Sequence, residues 1–106
     1  MSHPDAGTHP PEFVRLCDDA IAKLEALKAA SPFARGPLIP PIHERLAEIA
    51  AAVAELDLRA PGFADEQAAL TDAASKLQAI EMDRGGPHVA RFVDRIVADL
   101  RRLAAG

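Results

Sequence analysis

From Ile42 to Arg59 the large apolar residues fall at Ile42, Leu46, Ile49, Val53 and Leu56, in steps of four, three, four and three. That rhythm is the buried stripe of an amphipathic helix packed nearly parallel or antiparallel to its neighbours. His43, Glu44, Arg45, Glu48, Glu55 and Arg59 fall on the outer arc, with Glu55 four residues ahead of Arg59 in the favourable ion-pair order. Alanine, a strong helix former, fills the remaining positions. A strand would alternate with period two, and this segment does not.

Three further segments carry the same helical period. In the first, Phe13, Val14, Leu16, Cys17, Ala20, Ile21, Leu24 and Leu27 are apolar, while Arg15, Asp18, Asp19, Lys23, Glu25 and Lys28 mark the wet side. In the third, Phe63, Leu70, Ala73, Ala74, Leu77 and Ile80 form the weakest of the four patterns, with Asp65 and Glu66 suited to the positive end of the helix dipole. In the last, Val89, Phe92, Val93, Ile96, Val97, Leu100 and Leu103 are apolar. Prolines at 11, 41, 61 and 87 stand at the start of each segment, where a missing N–H costs nothing.

These signals predict an all-α, antiparallel four-helix bundle with helices over about 11–31, 41–59, 62–83 and 87–104. Ala60-Pro61-Gly62 and Arg84-Gly85-Gly86-Pro87 are short enough to force tight reversals, which favours up-down-up-down order. The stretch from Ser31 to Pro40 is longer. It either folds as a cap, tucking Phe33, Leu38 and Ile39 against the core, or runs extended along a helix and reverses the topology. Pro40-Pro41 predicts that the second helix starts only at Pro41, because a residue before proline is steered out of helical geometry. Residues 1–10 lack periodicity and read as a flexible arm ahead of a single domain over 11–106.

Composition narrows the function classes. The 106 residues include four phenylalanines and no tryptophan or tyrosine, so the core is thin in heavy side chains and further burial between subunits is expected. The net charge of −4 argues against a nucleic-acid partner. It is unevenly spread, with fourteen acids against seven bases in residues 1–83 and five bases against two acids in residues 84–106. No apolar run is long enough to span a bilayer, and the N-terminus lacks the basic and apolar regions of a signal peptide, so a cytoplasmic location and no membrane partner are expected. The lone Cys17 reads as a small buried hydrophobe.

His43 and His88 are the candidate chemistry. Each is predicted in the first turn of a helix, at one common end of the bundle, where the dipole favours the neutral imidazole that binds metal. Glu44 and Asp83 could add oxygen ligands. The spacings that specify a metal site, Glu-x-x-His, His-Glu-x-x-His or a cysteine cluster, are missing, so two solvent-exposed histidines are the favoured reading and no cofactor is expected. Arg91, Arg95 and Arg102 lie close to one stripe of the last helix and read as a solvated face.

Nothing in the sequence pairs a nucleophile with a base or sets two carboxylates in a defined cleft. The expected function is therefore a non-enzymatic protein–protein interaction module of adaptor, regulatory or immunity type, acting through a homodimer or a protein partner. The breadth of the first and last helices' apolar faces nominates Val14, Ile21, Val93 and Val97 as the interface. The competing expectation is a small metal- or ligand-binding bundle, or an enzyme built on one, with His43 and His88 at its mouth.

Overall fold

Periodic apolar faces on strong helix formers become four long helices in the computed structural model, which describes residues 11–59, 64–83 and 85–105. Helix α1 spans Pro11–Ala29, the short α2 spans Pro32–Arg35, and a 3-10 turn over Gly36–Leu38 leads into α3, Ile39–Arg59. Helix α4 spans Ala64–Met82 and α5 spans Val89–Ala105. The described residues contain no strand. The expected arm over 1–10, the Ala60-Pro61-Gly62 turn, Phe63 and Arg84 lie outside the described residues, as do the side chains of Leu56, Arg59 and Asp65.

Helix α1 packs on α3 and α5, and α4 packs on the same two from the other side, so the four long helices form a bundle in chain order. Cross-helix pairs fix the directions. Lys28 near the end of α1 meets Asp94 near the start of α5 at 2.8 Å, and His43 near the start of α3 meets Glu81 near the end of α4 at 3.4 Å. Asp19 of α1 likewise accepts from Arg45 of α3. Each neighbouring pair is antiparallel, giving the predicted up-down-up-down bundle.

The connection after α1 is a folded cap, and one side chain explains why. The last carbonyls of α1 have no partner within the helix. Arg35 supplies donors to two of them, Nε to the Leu27 carbonyl at 3.1 Å and Nη2 to the Lys28 carbonyl at 3.2 Å. This folds α2 back over the end of α1 and delivers the chain directly to the adjacent corner. Ile39 is buried and Leu38 half-buried, as expected, but Phe33 is 97% exposed, contrary to the expectation that it tucks inward.

The start of α3 also differs from its prediction. Ile39 is helical at φ −74°, ψ −46° despite preceding a proline, and Pro40 and Pro41 both lie within the first turn. Burial of Ile39 and Ile42 draws this turn against the core, and first-turn positions have no intrahelical acceptor for the N–H groups that proline lacks.

The core is built from the predicted stripes: Leu24 and Leu27 from α1, Ile42 and Ile49 from α3, Leu77 and Ile80 from α4, and Ile96 and Leu100 from α5 are all 0% exposed. Val93 and Val97, expected at an interface, are buried in this same core. Helix α5 is wedged between α1 and α4, and its wide apolar face is consumed by two neighbours within one chain. Of the nominated patch, Val14 and Ile21 remain half-exposed.

Candidate functional site

The predicted histidine end resolves into two separate pairs. Because α3 begins at Ile39, His43 is a full turn inside the helix, away from the dipole end, and its Nε2 faces Glu81 of α4 at 3.4 Å. Glu44, about 100° round the helix from His43, is exposed. His88 precedes the first helical residue of α5, and its carbonyl accepts from the Phe92 N–H at 2.9 Å. Its ring packs edge-on against Phe92 with centroids 5.0 Å apart, and its Nε2 lies 3.8 Å from Asp83 Oδ2. Both histidines are half-buried, a correction to the solvated rings expected from the sequence.

Gly86 makes the second arrangement possible. Its N–H donates to the Asp83 carbonyl at 3.2 Å and its own carbonyl accepts from the Val89 N–H at 3.3 Å, closing the α4–α5 reversal. A Cβ at this position would stand 2.6 Å from both Asp83 Oδ2 and His88 Cε1. The glycine thus keeps the carboxylate and the imidazole within reach of each other. Among the described residues no group of three or more His, Cys, Asp or Glu side chains converges as a metal site would require. Cys17 is buried, and burial, with Asp18 nearby, pushes its thiol up to about 11, far from a reactive thiolate.

A different feature lies between two of the long helices. Between α3 and α4 runs an open groove of about 570 Å³, lined by His43, Leu46, Ala47, Ala50, Ala54, Gln67, Leu70, Thr71 and Ala74. Its origin lies in the residues that face each other across this seam. His43, Ala47, Ala50 and Ala54 recur at helical spacing on α3, and Gln67, Thr71 and Ala74 do so on α4. Methyl groups leave space that leucines would fill, so the two helices enclose a trough above Leu46 and Leu70.

Two of the polar groups along the trough are already engaged within the protein. Thr71 Oγ1 donates back to the Gln67 carbonyl at 3.0 Å, and His43 faces Glu81. What the groove offers a ligand is chiefly apolar. Met82, eleven residues beyond Thr71 and therefore three turns along the same face of α4, is 83% exposed.

This groove was missed in the sequence because α4 has the least amphipathic pattern of the long helices. The available signal was the repetition of alanine at 47, 50 and 54 beside the leucine and isoleucine seam.

Electrostatics on the neighbouring faces is also specific. Asp19 is held below the usual carboxylate range by hydrogen bonds from Lys23 and Arg45. Asp72 is lowered by Lys76, while Asp99 is raised by burial and by its hydrogen-bonding contact with Asp72. No protein-family model, curated protein or solved structure matches the chain.

Proposed function

We propose that this protein is a non-enzymatic protein–protein interaction module whose binding face is the α3–α4 groove. The observation that carries this reading is the groove itself: an open trough of about 570 Å³, walled by alanines above Leu46 and Leu70, with its hydroxyl turned back onto its own helix. Small-molecule sites are concave and place a few free polar groups to orient the ligand. A long trough of methyl groups instead complements the side of another helix, the recurring mode in which an amphipathic segment lays its apolar face into a groove.

Exposed Met82, further along the same face of α4, adds to this reading, because methionine is enriched at protein interfaces. No helix among the described residues is long and apolar enough to cross a membrane. A cytoplasmic setting, in which the partner is another protein of the same compartment, completes the proposal. Self-association through Val14, Ile21, Val93 and Val97 has lost its main support, since two of the four are interior.

The test is affinity capture with the full chain from its source cells, followed by light scattering on the purified complex. A saturable complex of fixed stoichiometry with a second protein is expected. Recovery of the chain alone, with no second component at any expression level, counts against the module reading.

A further inference from the structure

Helix α4 stands between two unlike seams. Toward α3 it contributes Gln67, Leu70, Thr71 and Ala74 to the groove. Asp72 and Lys76 lie on the opposite side of α4 by helical register, toward α5, and Lys76 holds Asp72 there. From α5, buried Asp99 accepts from Arg102 Nη2 at 3.2 Å through Oδ1, while its Oδ2 has no donor among the described residues. The two carboxyl groups are in hydrogen-bonding contact across the seam. The charged groups facing the pair are Lys76 from α4 and Arg95 and Arg102 from α5. Helix α1 meets α5 on another face, where Lys28 holds Asp94, and α3 meets α4 on the groove side.

The α3 side holds α4 less closely. The trough leaves space between these two helices, and α4 has the least amphipathic pattern of the long helices, so its place in the bundle leans on the α5 seam. A proton on one carboxyl group lets it donate to the other, which is a bond across that seam. With both groups ionised, two like charges meet where burial already penalises charge, and Arg102 reaches Oδ1 of Asp99 but not the orphaned Oδ2.

Taking the groove as the binding face, we infer that the Asp72–Asp99 pair is a proton-operated grip on α4 that regulates that same site by setting the width of the trough. With a proton between the carboxyl groups, α4 is drawn to α5 and the trough stands open. With both ionised, α4 is released from α5 and moves into the space beside α3, so the trough narrows. Burial and Asp72 raise Asp99, so the release comes as the pH climbs through that raised value. A partner seated in the groove therefore binds more weakly on the alkaline side and takes up a proton as it binds.

The experiment follows the full chain by nuclear magnetic resonance from mildly acidic to alkaline buffers, with alanine methyls and aspartate carboxyl carbons labelled. A His43→Gln background removes the one imidazole that lines the groove and would titrate beside it. Asp99 Cγ should titrate above the ordinary aspartate range, and the methyls of Ala47, Ala50 and Ala54, across the groove on α3, should shift with the same midpoint. Asp99→Asn should hold those methyls at their acid-side positions throughout. Asp72→Asn, which replaces the repelling charge with an amide donor, should move the midpoint down. On the alkaline side the amides from Leu70 to Leu77 should exchange roughly tenfold faster in the parent chain than in Asp99→Asn at the same pH, and those of α1 should not.

Titration of Asp99 with the α3 methyls unmoved would overturn the coupling, as would methyls that titrate equally in Asp99→Asn. Asp99 ionising within or below the ordinary aspartate range would remove the proton on which the grip depends. Should Asp99→Asn lose its helical signal, Asp72→Asn carries the test, since a midpoint that rises or stays put in that variant overturns the pair. Each of these failures leaves the module reading in place, because that reading stands or falls on capture of a partner.

Discussion

The carboxyl groups of Asp72 and Asp99 meet across the seam between α4 and α5. Asp99 is 9% exposed, its Oδ1 accepts from Arg102 Nη2 at 3.2 Å, and its Oδ2 is buried without a donor among the described residues. Burial and the neighbouring Asp72 carboxylate both raise Asp99, favouring the protonated form that can donate to Asp72. Lys76 and, less strongly, Arg95 lower Asp72 and favour its ionised form.

The pair predicts a pH dependence of stability with a definite sign. Asp99 is raised above the ordinary 3.8, so its contribution is complete below that value and is lost as the pH climbs through the raised one. Asp72 is lowered, and its contribution is present above 3.8 and lost as the pH falls through its lowered value. Asp99→Asn keeps a donor toward Asp72 and cannot ionise. Its stability relative to the parent chain should rise with pH above the ordinary aspartate range and then level off. Urea unfolding followed by circular dichroism across mildly acidic to alkaline buffers checks this, and a difference that stays constant with pH would refute it.

Arg35→Ala should cost about 0.5–1.5 kcal/mol per lost hydrogen bond, because two carbonyls at the end of α1 lose their charged donor. Hydrogen exchange should show the last turn of α1 and the whole of α2 opening more readily, with the α4–α5 seam unchanged. Uniform loss of protection across the bundle would mean that Arg35 does something other than pin the cap.

Gly86→Ala should destabilise by roughly 0.5–1 kcal/mol, since the new Cβ meets Asp83 Oδ2 and His88 Cε1 at 2.6 Å and one of the two must move. The exposed Asp83 carboxylate is the easier to displace. Adding Asp83→Ala to Gly86→Ala should therefore recover part of the loss. A double variant less stable than either single one, measured by thermal unfolding, would contradict this account.

Leu100→Ala should cost about 2–5 kcal/mol, the range for emptying a fully buried leucine site, and a domain stabilised by only about 5–15 kcal/mol would lose much of its margin. Phe33→Ser, at 97% exposure, should change stability by no more than about 0.5 kcal/mol. Equal losses in the two variants, read from denaturant midpoints, would show that Phe33 is packed in solution.

The amino-acid sequence determined the four long helices and their buried faces, because a period of 3.6 and the proline and glycine breaks between periods act over a few residues and need no neighbour. Ile49 and Leu100 lie in the core as their spacing requires, and the two tight reversals make antiparallel order the economical one. Periodicity gives the direction in which a side chain leaves its own helix. It does not say how many neighbours wait there.

Tertiary structure alone decided that α5 has two, which placed Val93 and Val97 inside, and that Arg35 reaches back to the carbonyls of α1, which settled the path of the first connection. It also turned His43 toward Glu81 and set the alanine row of α3 against α4 with space left over. Each of these depends on the distance between two surfaces remote in sequence, a quantity fixed by the volume of all the side chains packed between them.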